Sequence, residues 1–200
     1  MQRAQQTRQR RDDYHHGDLP RALLTAGRAL LEEGGPSALN LREIARRVGV
    51  SAPSAYHHFP NLEAIAVALA AQGFAQMTEL LESAPTNERG KLTPAGEAYI
   101  AFARANPGLY RLMFGDGLHS GSDANVEVRA MRRRAYKVVA ESLQKRLPAN
   151  QVPIAALFLW SLVHGLALLL IDGQLDSGAN PTVIIQNVLR MAGTGLPRSE

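Results

Sequence analysis

The chain has no cysteine. That excludes a disulfide framework, a thiolate-based zinc site and a thiol nucleophile. Aromatic residues are scarce at 6%, with a single tryptophan, Trp160, and charged residues make up only 20%. No alternating period-2 run that would mark a strand is present, and no internal repeat. The opening MQRAQQTRQRRDD has no apolar stretch after its early arginines, so no secretory signal is read there and a cytoplasmic address is expected. With 46% hydrophobic residues in 200, the chain has enough apolar material to bury a substantial core, which excludes wholesale disorder.

Charge is unevenly placed. Residues 1–60 carry nine Arg against six acids, whereas the remaining 140 carry thirteen Lys and Arg against twelve acids. Four of the six histidines also lie in the first sixty residues. A basic end on a near-neutral body suits a polyanion, either nucleic acid or an anionic membrane surface. Residues 1–13, with Arg3, Arg8, Arg10 and Arg11, read as a basic disordered arm, either solvated or settling on a phosphate backbone.

Helical signals fill the rest. Asp18 stands as an N-cap before the stripe Leu19, Ala22, Leu23, Ala26 and Leu30, and Gly34-Gly35-Pro36 ends it. Asn40 caps a short helix, with Glu43 completing a capping-box pattern, and Gly49 supplies the left-handed stop. Ser51 starts a third helix whose first turn tolerates Pro53. Asn61 caps a longer one with the stripe Leu62, Ile65, Ala66, Leu69, Gly73, Met77 and Leu80. Further helices are expected after Thr93-Pro94 and Asn106-Pro107, over Ala124–Leu147 and Val152–Ile171, and from Asn180-Pro181 to Ala192. The expected fold class is all-α, with about nine helices.

LREIARRVGVSAPSAYHHF is the most informative stretch. Two short helices flank a Gly49-Val50-Ser51 turn, the spacing of a helix-turn-helix, and Ala45 lets the pair approach closely. Such a pair can be a plain packing unit or a DNA reader. The second helix offers compact groups able to reach base edges and phosphates.

Residues 14–74 resemble the N-terminal domain of the TetR/AcrR family of bacterial transcription regulators. The resemblance rests on Ile44-Ala45-x-x-Val48-Gly49-Val50-Ser51 followed by Tyr56-His57-His58-Phe59-Pro60-Asn61. Tyr14-His15-His16-Gly17-Asp18-Leu19 is similar to one branch, and Trp160-Ser161-Leu162-Val163-His164-Gly165 supplies that branch's C-terminal Trp-x-x-x-His-Gly signature. The resemblance divides the chain into the arm 1–13, a helix-turn-helix domain 14–61, a connecting helix 62–84, a ligand-binding and dimerisation domain 85–195 and a tail 196–200. It implies DNA contacts at Arg42, Ser51, Ala52, Pro53, Ser54, Tyr56, His57 and His58. Where many members carry a phosphate-gripping Lys at the start of the fourth helix, this chain has Leu62, which leaves the Arg-rich arm as the replacement cation.

The same resemblance implies a homodimer through the last two helices, a palindromic double-stranded operator and a small-molecule effector. Its cavity candidates are Phe102, Tyr110, Met113, Phe114, Met131, Tyr136, Trp160 and His164, about half of them expected to be ordinary core. This mostly apolar set suits a neutral or amphipathic effector that releases a repressor from DNA.

Other chemistry finds less support. The pairs His15-His16 and His57-His58 are adjacent and diverge by about 100° on a helix, unlike the i, i+4 pairing of zinc helices. No metal and no cofactor is expected. Ser161, His164 and Asp172 lack a nucleophile elbow, so no catalytic residue is assigned. Val152–Ile171 has the length of a membrane span, but Pro153, Ser161, His164 and Gly165 interrupt it and no Lys or Arg flanks it, so no membrane partner is expected. The rival reading is an enzyme or carrier using the C-terminal cavity, with the N-terminal helices as a packing module.

Overall fold

A computed structural model describes residues 19–85, 92–115, 124–144, 147–175, 178 and 180–195. Among these residues the chain forms nine α-helices and no strand. They are α1 (Leu19–Gly34), α2 (Leu41–Val48), α3 (Ala52–His58), α4 (Leu62–Ser83), α5 (Leu92–Ala105), α6 (Pro107–Phe114), α7 (Ala124–Gln144), α8 (Val152–Ile171) and α9 (Pro181–Gly195). The arm, the Asp18 cap, the Tyr14–Asp18 motif and the tail lie outside the described residues.

α1–α3 make the head. Leu23, Leu30 and Leu31 of α1 meet Leu41, Ile44 and Ala45 of α2 and Ala55 of α3, all buried. α4 is the central post, buried on most of its circumference because Ala66, Ala70 and Gly73 let neighbours approach while Ile65, Leu69, Phe74 and Met77 fill the gaps. One hydrophobic cluster runs unbroken from Leu23 in the head to Leu189 in α9. A second, smaller cluster joins the end of α7 to the start of α8, around Leu143, Leu147, Val152 and Ala156.

Several local expectations are corrected. The capping box at α2 is half made: Asn40 Oδ1 accepts from the amides of Arg42 and Glu43, but the Glu43 carboxylate turns to Arg46 and Arg47. Leu62 and Leu80 are exposed, so the core stripe of α4 begins at Ile65 and ends at Leu81. Thr93-Pro94 falls inside the first turn of α5, which begins at Leu92. Asn106 precedes α6 as expected without capping it, because its amide donates to Phe102 O and accepts from Arg28. α7 is described as far as Gln144, and α9 runs on to Gly195.

Candidate functional site

The turn between α2 and α3 is fixed by local chemistry. Gly49 takes φ 80°, a left-handed conformation that costs a side chain-free residue nothing. Val50 then returns its amide to Ala45 O at 3.0 Å. Ser51 Oγ accepts from Ser54 N at 3.2 Å and shares a 2.8 Å hydrogen bond with Ser54 Oγ, which closes the N-terminus of α3. With Ala55 fully buried beneath, α3 presents Pro53, Tyr56, His57 and His58 to solvent, while Ala52 and Ser54 are half-buried. Ser51 and Arg42 are also exposed. Seven of the eight residues expected at DNA thus lie on α3 or cap it, and the eighth, Arg42, stands in the first turn of α2. The His57 and His58 rings sit edge to face, 5.5 Å apart.

The three arginines of α2 are not equivalent. Arg47 grips Glu33 through two hydrogen bonds of 2.6 Å and reaches Glu43 at 3.1 Å, while Arg46 takes Glu43 in a fork of two 2.7 Å bonds. The Arg46 and Arg47 bonds hold the Glu43 carboxyl down at about 2, so it stays an anion. Arg42 has no acid partner among the described residues, which leaves its guanidinium as the uncommitted cation of this helix.

A second constellation lies in the helical body. Tyr110 of α6 bonds His164 Nδ1 of α8 at 2.6 Å, Tyr99 of α5 bonds the Tyr110 hydroxyl at 2.9 Å, and Tyr99 lies 3.2 Å from the same nitrogen. Burial lowers the His164 pKa, which favours the neutral ring. Burial also raises both phenols, keeping them protonated. Phe114 packs edge to face on His164 with centroids 4.8 Å apart, and Trp160 bridges Tyr99 and Tyr136 at 5.6 Å each.

Five expected cavity residues therefore come together: Tyr110, Phe114, Tyr136, Trp160 and His164. Phe102 and Met113 are fully enclosed in the core, Met113 lying where a side chain on Gly73 would otherwise stand. Met131 instead borders an open groove of about 240 Å³ against α4. A smaller cavity of about 50 Å³ lies among α4, α5, α7, α8 and α9, bordered by Tyr99, Val139, Ser142, Trp160, Val163 and Leu189. Trp160 alone of the expected set borders it. Tyr99 was missed, although Gly96, Tyr99, Ile100 and Ala103 follow an i, i+3, i+4, i+7 stripe that marks an inward face.

Head and body are fastened where α1 meets α6. The Glu32 carboxylate accepts from Gly108 N at 2.8 Å and Leu109 N at 3.1 Å, capping α6 from another helix. Arg28 donates to Asn106 Oδ1 at 2.6 Å. Gly108 is needed for the approach, since a Cβ there would lie 1.9 Å from Leu31 O. α6 thus carries the head's clamp at Gly108 and Leu109 and the Tyr110–His164 bond at the next residue.

Comparison with known proteins agrees at both ends of the chain. Residues 23–69 match the family model for bacterial regulatory proteins of the tetR family, and residues 92–192 match the tetracyclin repressor-like C-terminal domain. An uncharacterised HTH-type transcriptional regulator of Mycobacterium tuberculosis is 28% identical over 165 residues, covering 81% of this chain and 74% of its own. A solved protein of unknown function from Rhodococcus sp. RHA1 is 29% identical with a TM-score of 0.79, over 92% of this chain and 98% of that one. The FadR regulator of Bacillus subtilis, solved with stearoyl-CoA, shares the fold at a TM-score of 0.68 and 15% identity, over 88% of this chain and 98% of its own. With a matched head, a matched body and an exposed recognition helix between ordered caps, the chain belongs to the TetR family and is a ligand-responsive, DNA-binding transcriptional regulator.

Proposed function

We propose that the protein is a cytoplasmic, non-enzymatic repressor that binds a palindromic operator as a homodimer and leaves it when a small molecule enters the helical body. The observation that carries this reading is α3, a short helix anchored by one buried alanine whose outward face is polar and aromatic. Arg42 would read guanine through its guanidinium fork. Tyr56 and His58 would hold phosphates, Ser51 and Ser54 would set the helix start against the backbone, His57 would complete the polar face, and Ala52 and Pro53 would offer apolar contact to a thymine methyl. The head would comprise residues 14–61, α4 the connection over 62–84, and residues 85–195 the effector and dimer unit.

Dimerisation is supported by α8 and α9. Among the described residues, α8 exposes Ile154 at 72%, with Leu157 and Phe158 beside it, and α9 exposes Met191 at 73% and Val183. α8 is long and apolar enough to cross a membrane by composition, yet its other side is packed in the core through Ala155, Ala156, Leu159 and Val163. A second copy covering the outer side accounts for both faces.

Retention on random double-stranded DNA at rising salt tests the reading, followed by selection of bound genomic fragments to find the operator. Steeply salt-dependent binding with enrichment of a two-fold symmetric site is expected. Binding that is absent at low salt would defeat the proposal.

A further inference from the structure

The cavity beside Trp160 states its own chemistry. Among the described residues that border it, none is Asp, Glu, Lys or Arg. A carboxylate or ammonium entering would lose its hydration with no counter-charge to replace it. The stearoyl-CoA carried by the Bacillus subtilis FadR structure is a polyanion at its head, and the described residues of this cavity include no cation to meet such a group.

The hydroxyl on the wall narrows the class further. Ser142 Oγ donates to Val139 O at 2.6 Å, so its proton is committed and its lone pairs remain. The Tyr99 hydroxyl is engaged instead with Tyr110 and His164, which do not border the cavity. Ser142 therefore offers an acceptor, and its own proton is already engaged.

Size is the remaining constraint. At about 50 Å³ the cavity is well below the roughly 150 Å³ apolar cavity that holds benzene. Its yielding wall is Leu189 of α9, whose side chain fills the space above Gly96: a Cβ on that glycine would lie 2.7 Å from Leu189 Cδ2. A long side chain swings aside where backbone does not.

We infer that the effector is an uncharged, ring-sized molecule bearing a hydrogen-bond donor, a phenol, alcohol or N–H compound, which enters by displacing Leu189 and donates to Ser142. This rests on the reading of the helical body as the effector site. Since Leu189 belongs to α9, occupancy would act directly on a helix of the proposed dimer face.

The test uses the full-length protein and four probes of one shape: 4-methylphenol, 1,4-dimethylbenzene, 4-methylbenzoate and 4-methylbenzylammonium. Binding is read by Trp160 emission and by the melting midpoint. 4-Methylphenol is expected to bind several-fold more tightly than 1,4-dimethylbenzene, and neither ion to bind. Ser142→Ala should lower the affinity for the phenol and leave the hydrocarbon unchanged, and Leu189→Ala should tighten both neutral probes by enlarging the site. Equal binding of either ion, equal binding of the two neutral probes, or no tightening in the Leu189 variant would overturn the inference. So would the absence of neutral-probe binding in both parent and Leu189→Ala. DNA retention is measured in parallel: if it persists while the probes fail, the ligand class falls and the regulator stands.

Discussion

Replacing Gly108 with alanine probes the joint between head and body. The added Cβ would lie 1.9 Å from Leu31 O and 2.3 Å from Leu31 C, and both are backbone atoms, so no rotamer change relieves the overlap. Reaching an ordinary C···O separation of about 3.3 Å requires α6 to retreat from α1 by roughly 1.4 Å. That retreat lengthens the Glu32 bonds to Gly108 N and Leu109 N, now 2.8 and 3.1 Å, past useful range. Hydrogen bonds to a charged group contribute roughly 1.5–3 kcal/mol each, but the Glu32 side chain is 29% exposed and water replaces part of the loss. About 2 kcal/mol for the pair, plus about 1–3 for residual overpacking, less up to about 1 for alanine's helix propensity, leaves a net cost near 3 kcal/mol. For a chain of this size the melting midpoint should fall by roughly 6–12 °C. Urea and thermal unfolding measure it. Glu32→Ala, which breaks the bonds without the clash, should fall about 2 kcal/mol short of the parent. A Gly108→Ala protein as stable as the parent would show that α1 and α6 are not in the contact described.

Arg42→Ala should weaken operator binding by about 1–3 kcal/mol and relax base preference at one position, as read by binding to single-base operator variants; unchanged affinity would remove Arg42 from the interface. Ile154→Asp should leave a folded protein that sediments as a monomer, because the apolar face it interrupts is the one proposed for a second copy; a dimer of unaltered stability would move the interface elsewhere. His164 has a folded pKa below its ordinary 6.5, so at high pH it contributes nothing to pH dependence, and as pH falls through 6.5 the unfolded chain takes up a proton that the folded one resists. Stability should therefore drop on that acid side, and His164→Gln should flatten the slope. Gly165→Ala meets nothing within 4 Å in its own chain and should stabilise α8 by about 0.5–1 kcal/mol, a gain that urea melts would show or deny.

What the sequence makes legible is what is local. Asn40 and Ser51 accept from amides two or three residues on, and Gly49 donates to carbonyls three and four residues back, so their spacing announces the helix-turn-helix and the structure keeps it. The partnership of Glu32 with Gly108 crosses 76 residues, and nothing near either residue announces it. The same holds for Tyr99 with His164, 65 residues apart, which is why a cavity list drawn by residue type included Met113 and Phe102 and passed over Tyr99. Charge was legible as a total and not as an allocation: Arg46 and Arg47 are spent on Glu33 and Glu43, while Arg42 is free of them. α8 reads as uniformly apolar because two different surfaces, one internal and one facing outward, call for the same residue types.

The unbroken hydrophobic cluster from Leu23 to Leu189 has a consequence for how such a chain responds to heat and proteases. A head of three helices is too small to stay folded on its own interior, so it borrows that of α4 and α6. Melting should then be a single transition reported alike by probes in α3 and in α8. Any compound that tightens the body should protect peptide bonds in the head from cleavage, even while it drives the head off DNA. Release from the operator would be a reshaping of a firm object, with protease resistance rising as DNA affinity falls.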